Sequence, residues 1–271
     1  MDTSQKWGSV TLNNGVVMPK FGLGTWLSKP GQVKEAVENA IDNGYRHLDC
    51  AYVYFNEHEV GEAIQNKIKQ GVVKREDLFI TSKLWPIFHR PENMMEGLQT
   101  SLKNLQTDYI DLYLVHWPYK LPLLRNVSDQ ERYLPRHPNG DPIYDEEDST
   151  LYDTWRGMED LYNNTKHVRA IGVSNYNIKQ LEEILSQCKV KPMMNQCECH
   201  AYLNQEELVK FCHANDIQFT SYSPLGAPGR VDIMKHDKNS LVLMEDETVQ
   251  AIAKKYNKQP AQILNAGLLS E

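Results

Sequence analysis

Four side chains that can take part in proton transfer follow three successive predicted strands: Asp49, Tyr54, Lys83 and His116. A phenol with its ordinary pKa of about 10 is a poor acid at neutral pH. The Lys83 ammonium favours the phenolate and so lowers the pKa of Tyr54, while the Asp49 carboxylate keeps that ammonium charged and oriented. His116 can hydrogen-bond a substrate oxygen across the pocket. Together the four residues predict a proton donor that acts on a carbonyl group.

Each of these residues also has an ordinary structural interpretation. A lysine that ends a strand can be a solvated cap, a single tyrosine is usually a packing residue, and Asp49 can cap a turn. The chemical interpretation depends on all four lying at strand ends, which a barrel brings to one rim.

The strand that precedes His116 is the clearest in the chain. Its residues, 109–115, are mostly apolar, β-branched or aromatic, and His116-Trp117-Pro118 follows them. Such a run is typical of a strand that is covered on both faces. A titratable residue at its carboxyl end predicts a site built on the strand ends of a parallel sheet.

Seven such strands alternate with amphipathic helical segments. They are predicted over 21–26, 47–51, 78–83, 109–115, 168–173, 193–197 and 218–222. Alternation of this kind indicates parallel strands joined by right-handed crossovers. Because no composition break separates the units, one barrel domain is favoured over two domains. A doubly wound open sheet is the alternative, although the first strand lacks a G-x-G-x-x-G turn into its helix.

Local signals predict several further features. Residues 10–18 form a hairpin, with a type I′ turn at Asn14-Gly15. Pro91 occupies the first position of a helix. Residues 119–148 are predicted to be an irregular loop, and a loop of this length is usually functional or disordered. Its basic part, 119–137, is more consistent with substrate binding than with nucleic-acid binding. Asp148 or Ser149 caps the helix that follows this loop. Residues 260–264 continue the last helix.

Bulk properties exclude several classes of function. A net charge of -7 and a pI of about 5.7 argue against nucleic acid and anionic membranes as partners. Five cysteines are an odd set of low density, and no run of 18 apolar residues or apolar N-terminal segment occurs, so we expect a cytoplasmic protein. The spacing Cys197-x-Cys199-His200 does not suit a tetrahedral zinc site, so no metal is predicted.

Seven short motifs are spread from Phe21 to about Leu264. They read Gly22-Leu23-Gly24-Thr25-Trp26, Gly44-Tyr45-Arg46-His47-Leu48-Asp49-Cys50-Ala51 (with Tyr54 and Asn56-Glu57 behind it), Ser82-Lys83-Leu84-Trp85, His116-Trp117-Pro118, Ala170-Ile171-Gly172-Val173-Ser174-Asn175, Asn195-Gln196 and Tyr222-Ser223-Pro224-Leu225-Gly226. In this order they resemble the motifs of the aldo-keto reductase family, close to its aldose and aldehyde reductase branch.

The resemblance implies an α/β fold, a (β/α)8 TIM-type barrel whose bottom is closed by the N-terminal β-hairpin. We expect one domain over 1–271, truncated at its C-terminal end to about seven βα units. The implied reaction is reversible hydride transfer between NADPH/NADP+ and an aldehyde or ketone, with a small carbonyl compound as substrate. The family also implies a monomer.

The resemblance also implies a role for each matching residue. Tyr54 is the proton donor, Lys83 and Asp49 tune it, and His116 orients the carbonyl. Ser174, Asn175 and Gln196 hold the nicotinamide carboxamide and Tyr222 stacks on the ring, and the other implied cofactor contacts are Thr25, Trp26, Asp49, Ser223 and Leu225. The implied substrate pocket is lined by Trp26, Val53, Trp85, His116 and Trp117.

The chain also departs from the family pattern. Relatives carry an eighth strand followed by a Lys-Ser pair and an Arg that bind the 2′-phosphate, whereas this sequence stops at Glu271 without them. Ala227 and Gly229 replace a Ser and an acidic residue of the loop over the pyrophosphate. Two lost charged contacts would weaken NADPH binding by roughly 10²–10⁴-fold, and two edge strands would be unpaired. The alternative function is therefore a truncated, catalytically impaired or silent chain that binds a partner protein through its open edge.

Overall fold

The computed structural model describes residues 7–145, 150–227 and 242–269. Its nine strands are β1 (Ser9–Thr11), β2 (Val17–Pro19), β3 (Leu23–Gly24), β4 (His47–Asp49), β5 (Phe79–Leu84), β6 (Leu112–Val115), β7 (Ile171–Ser174), β8 (Met194–Glu198) and β9 (Gln218–Tyr222). β1 and β2 pair antiparallel. The other seven form one sheet in chain order, and every neighbouring pair is parallel. The predicted seven-stranded parallel arrangement is confirmed.

The sheet is curled rather than flat. Gln196 on β8 donates from Nε2 to Oδ2 of Asp49 on β4, at 2.7 Å. These strands are four positions apart, which is about 19 Å in a flat sheet with about 4.8 Å between neighbours. The side chains can meet only because the sheet bends round until its carboxyl-end residues face one another across an interior.

Strand β6 begins later than predicted, at Leu112. The buried carboxylate of Asp111 interrupts the ladder, since its Oδ2 accepts the Ile80 N–H at 2.9 Å. Arg75 and Arg169 each approach the same carboxylate to 2.7 Å. Two cations and a backbone donor compensate the cost of burying this charge.

The N-terminal hairpin lies across the amino ends of the strands. Asn13 Nδ2 donates to the carbonyls of Pro192 and Asp216, and Asn14 Nδ2 donates to the carbonyl of Arg169. The predicted type I′ turn is wrong, because only Gly15 of the Asn14-Gly15 pair has a positive φ, at 86°. Leu12 instead bonds Val16 across a three-residue loop with a left-handed glycine at its end.

Helices follow the strands and cover the outside of the sheet. They are α1 (Gln32–Asp42), α2 (Glu57–Lys69), α3 (Pro91–Leu105), α4 (Asp129–Tyr133), α5 (Leu151–Asn164), α6 (Ile178–Leu185), α7 (Glu206–Ala214), α8 (Glu247–Tyr256) and α9 (Pro260–Leu269). Short 3-10 turns at Tyr52–Tyr54 and Pro86–Phe88 follow β4 and β5. Pro91 is the first residue of α3, as predicted. The described residues contain no helix long and apolar enough to cross a membrane.

Two helix predictions need correction, and one short helix was not predicted. Thr150 caps α5 through a reciprocal capping box with Asp153, so the predicted cap at Asp148 or Ser149, which lies outside the described residues, is wrong. Residues 260–264 do not continue the preceding helix, because left-handed Asn257 ends α8 and a separate helix follows. The short helix α4 inside the long loop was not predicted.

β3 and β9 have no ladder partner on their outer sides within the described ranges. A cavity of about 550 Å³ lies along this seam and is lined by both strands. All five residues of β9 are half-buried, whereas β5, β6 and β7 are buried throughout. The predicted unpaired edges are therefore confirmed for the part of the chain that the structure describes.

Candidate active site

The four predicted proton-transfer residues lie together at the carboxyl ends of neighbouring strands. Asp49 is the last residue of β4, and Tyr54 ends the 3-10 turn that follows it. Lys83 is the penultimate residue of β5, and His116 directly follows β6. Because β4, β5 and β6 are parallel neighbours, their carboxyl ends bring all four side chains to one rim.

The Lys83 ammonium is the centre of this cluster. Its Nζ donates to Asp49 Oδ1 at 2.5 Å, to the Cys50 carbonyl at 3.0 Å and to Tyr54 Oη at 3.3 Å. These three acceptors match the three donors of an ammonium group. Lys83 is 1% exposed, so the contacts form away from bulk water.

The environment keeps Lys83 charged. Burial alone pulls the pKa of Lys83 down, but the Asp49 carboxylate and the Tyr54 phenol outweigh it and hold the pKa above its ordinary value. Gln196 binds the other oxygen of Asp49 and fixes its orientation. The cluster therefore holds a permanent positive charge beside the phenol.

The net pKa shift of Tyr54 is opposite to the one predicted from the sequence. Burial raises the pKa of Tyr54 above its ordinary value, and Lys83 opposes this increase without overcoming it. The predicted direction of the influence of Lys83 is thus confirmed, whereas the prediction of an unusually acidic phenol is wrong. Tyr54 accordingly holds its proton at neutral pH.

His116 faces Tyr54 edge-on, with 5.9 Å between the ring centroids. Burial, followed by the positive charge of Lys83, holds the pKa of His116 well below its usual range. The imidazole is therefore neutral at pH 7 and carries one N–H donor. A neutral donor beside a neutral phenol can hydrogen-bond a carbonyl oxygen without adding charge to the pocket.

A second group of polar side chains lies at the ends of β7, β8 and β9. Asn175 Nδ2 donates to the His116 carbonyl at 2.9 Å and to Ser174 Oγ at 3.2 Å. Tyr222 Oη donates to Asn175 Oδ1 at 2.8 Å, and Ser174 Oγ donates to the Gln196 carbonyl at 2.8 Å. The four predicted carboxamide and ring contacts thus form one network next to the proton-transfer residues.

The three tryptophans of the predicted pocket are ring neighbours of Tyr54 or His116. Trp85 lies edge-on to His116 with 5.2 Å between centroids, and Trp117 stacks on His116 at 6.4 Å. Trp26 is 6.5 Å from the Tyr54 ring and 38% exposed. Val53 packs partly buried against the main hydrophobic core, so its place in the pocket stays a prediction.

The remaining predicted cofactor contacts divide between two places. Thr25 is buried and donates from Oγ1 to the Asp49 carbonyl at 2.9 Å. Ser223 and Leu225 line the seam cavity, which Asp49 and Gln196 also line. Within the described ranges, no three or more His, Cys, Asp or Glu side chains are grouped to hold a metal ion.

The sequence predicted no role for the three residues that follow Tyr54, although Asn56-Glu57 accompanies one of the seven motifs. Asn56 Nδ2 donates to the Thr25 carbonyl at 2.8 Å, and buried Glu57 accepts a hydrogen bond from Ser82 Oγ at 2.6 Å. Asn56 and Glu57 tie the turn that carries Tyr54 to Thr25, directly after β3, and to β5. The sequence indicated such a role only through the polar pair Asn56-Glu57 so soon after the predicted acid.

The chain is similar to known proteins over most of its length. Residues 20–269 match the model of the aldo/keto reductase family. The chain is 46% identical over 257 residues to aldo-keto reductase family 1 member A1-A of Danio rerio, covering 94% of this chain and 76% of the relative. It is 45% identical over 257 residues to the Homo sapiens member A1, covering 94% and 75%. The solved aldose reductase of Schistosoma japonicum superposes with a TM-score of 0.82 at 41% identity, covering 94% of this chain and 77% of that one.

Proposed function

Because the chain belongs to the aldo/keto reductase family, we propose that it reduces aldehydes and ketones to alcohols with NADPH, and that Tyr54 donates the proton. The observation that carries the proposal is the contact of Lys83 Nζ with both Tyr54 Oη, at 3.3 Å, and Asp49 Oδ1, at 2.5 Å. Relatives named aldose reductase and aldo-keto reductase support the same substrate class.

The residues present fit a nicotinamide cofactor. A primary carboxamide needs both donors and acceptors, and Ser174, Asn175 and Gln196 offer both at one edge of the site. Tyr222 is fixed through its hydroxyl to Asn175 and can present its ring to a planar group. Ser223 lines the cavity that reaches Asp49, and we assign it to the pyrophosphate. When bound, the reduced nicotinamide supplies hydride to the carbonyl carbon.

Tyr54 supplies the proton. A phenol with a raised pKa keeps its proton at neutral pH, so the donor is loaded before the reaction begins. An alkoxide oxygen is far more basic than a phenolate, so the proton moves to the substrate oxygen as negative charge develops there. Lys83 then stabilises the phenolate, and a hydrogen bond to a charged group contributes about 1.5–3 kcal/mol.

His116 orients the substrate. Its neutral ring directs one N–H at the carbonyl oxygen, while Trp85 and Trp117 pack against the ring. The low-dielectric surroundings strengthen this hydrogen bond relative to water. We therefore assign His116 to carbonyl positioning rather than to proton donation.

We propose NADPH as the cofactor on the basis of the family resemblance, and a monomer that works in the cytoplasm. The low cysteine density supports the location. The alternative of a silent, partner-binding chain gains no support from the site, in which all four proton-transfer residues are in contact or adjacent.

The test is a titration of the protein with NADPH and with NADH, monitored by quenching of tryptophan fluorescence, followed by turnover of propanal with each. We expect saturable quenching by NADPH and aldehyde-dependent loss of the absorbance of the reduced nicotinamide. Tyr222→Ala should weaken NADPH binding about tenfold, the loss of one aromatic stacking contact. Tyr256→Ala removes an exposed aromatic residue of α8 and serves as the matched control. No saturable signal up to millimolar NADPH would defeat the proposal.

A further inference from the structure

Phe55, which directly follows Tyr54, combines two unfavourable features. Its φ is 57°, in the left-handed region that a bulky side chain rarely adopts. Its side chain is also 48% exposed, so the strain is not offset by burial. The residue ends the 3-10 turn by donating its N–H to the Tyr52 carbonyl at 3.3 Å. Glycine would make that bond with less strain, so stability does not account for an aromatic residue here.

The Phe55 ring contacts one residue of the long loop between β6 and α5. It lies edge-on to the Tyr133 ring, with 5.3 Å between centroids and 79° between planes. Tyr133 is itself fixed from the pocket side, because Trp85 Nε1 donates to its carbonyl at 2.6 Å. The two rings therefore bridge the turn that carries the proton donor and the loop that extends over the site.

These contacts form a closed circuit with the proton-transfer residues. Tyr54 faces His116 at 5.9 Å, and His116 faces Trp85 at 5.2 Å. Trp85 binds Tyr133, Tyr133 packs on Phe55, and Phe55 adjoins Tyr54 in the chain. Every side chain in the circuit is aromatic or neutral. Ring contacts and one hydrogen bond thus connect the space between Tyr54 and His116 to the exposed ring of Phe55.

We propose that Phe55 and Tyr133 form an outer aromatic subsite, which binds the distal alkyl chain or ring of longer carbonyl substrates. This rests on the proposed function, since the inner end of the substrate is the carbonyl held by Tyr54 and His116. Residues with strained backbone angles persist only where the surrounding structure holds them in place, and they cluster at functional sites. Half of the Phe55 surface is exposed before binding and is available to contact such a chain.

The test compares propanal with nonanal for the wild type, Phe55→Ala and Phe55→Tyr, with saturating NADPH. Phe55→Ala should lower kcat/KM for nonanal about tenfold more than for propanal, mainly through KM, because apolar contacts of this size change discrimination by about that factor. Phe55→Tyr keeps the ring and should restore the preference. Tyr256→Ala, an exposed aromatic on α8, is the matched control. If Phe55→Ala lowers kcat/KM equally for both aldehydes, or for neither, the proposed subsite is wrong.

A direct binding measurement separates this proposal from the proposed function. If the wild type turns over neither aldehyde, the function fails, yet tryptophan quenching by nonanal still reports on the subsite. The wild type should then bind nonanal about tenfold more tightly than Phe55→Ala does. Equal dissociation constants would exclude the subsite whether or not the chain is catalytically active.

Discussion

Lys83 is almost completely buried and still carries a charge, which is an unusual combination for a lysine. The Asp49 carboxylate, the Cys50 carbonyl and the Tyr54 hydroxyl satisfy its three donors. Removing one partner from a buried pair costs more than the pair contributes, because the other charge is left uncompensated. The same contacts therefore serve both stability and chemistry.

Replacing Lys83 should impair both properties. Lys83→Met leaves Asp49 without its cation and should lower the free energy of unfolding by about 3 kcal/mol. It also removes the charge that stabilises the phenolate, so kcat should fall by about 10²-fold or more. Urea unfolding and steady-state kinetics measure the two effects.

Lys67 offers a matched control for that experiment. It is also buried and bonds Asp42 at 2.6 Å, but the Asp42 side chain is 46% exposed and lies on α1, away from the site. Lys67→Met should cost about 1 kcal/mol or less and leave kcat unchanged. Similar kinetic losses in both variants would indicate that Lys83 acts only through stability.

Glu57 is predicted to position Tyr54 through Ser82. Burial raises the pKa of Glu57, and glutamine has nearly the same shape and retains an oxygen that can accept from Ser82. Glu57→Gln keeps an acceptor for Ser82 and should change the free energy of unfolding by less than about 1 kcal/mol, whereas Glu57→Ala should cost about 2–3 kcal/mol. Only the alanine variant should also lower kcat, by several-fold. Glu62→Ala, an exposed residue of the same helix, is the control, and equal behaviour of Gln and Ala would contradict the assignment.

At the scale of elements, close packing of α2 on α3 fixes the turn that carries Tyr54. A Cβ added at Gly61 would lie 2.4 Å from the Asn104 carbonyl oxygen and 2.8 Å from the Leu105 carbonyl carbon. Because these are backbone atoms, the helices themselves would have to separate. Gly61 is therefore required by the approach of two helices and not by its own backbone angles.

Gly61→Ala should lower the free energy of unfolding by about 1–3 kcal/mol through overpacking. Gly267→Ala in α9 is the matched change, since no atom lies within 4 Å of its added Cβ. At position 267 the higher helix propensity of alanine should raise the free energy of unfolding by up to about 1 kcal/mol. Urea unfolding of both variants tests the contrast, and the same sign for both would contradict the packing argument.

Periodicity and motif order predicted the elements well, and local chemistry predicted their ends less well. The apolar stripe of α1 and the position of Pro91 are visible in the residue types alone. The start of β6 is not, because it depends on Asp111 meeting two arginines that are distant in sequence. The sequence likewise predicted that Lys83 lowers the pKa of Tyr54. It did not predict the larger increase caused by burial, because burial depends on how the whole chain packs around the phenol.

At the scale of the whole molecule, three histidines are buried within the part of the chain that the structure describes. Burial lowers the pKa of His47, lowers that of His89 to about 3, and holds that of His116 well below its ordinary value. Below about pH 6.5 the unfolded chain binds protons at these positions more readily than the folded chain does. Stability is therefore complete above that pH and declines as the pH falls through it.

This linkage predicts acid sensitivity well above the range in which carboxylates titrate. At pH 5.5 His89, whose folded pKa is about 3, should by itself cost about 1.4 kcal/mol of stability relative to pH 7.5. His89→Gln should remove about that much of the pH dependence of the free energy of unfolding in urea, while exposed His58→Gln should leave the pH dependence unchanged. An unaltered pH dependence in His89→Gln would contradict the assignment.

The most direct test of the proposed chemistry is the kcat of Tyr54→Phe for propanal, measured with NADPH binding followed in parallel. Removing the hydroxyl eliminates the proton donor while leaving the ring in place between Trp26 and His116. We predict a fall in kcat of about 10²–10⁴-fold, the usual contribution of a general acid, with the dissociation constant of NADPH little changed. A variant that keeps kcat within a fewfold of the wild type would show that another group donates the proton.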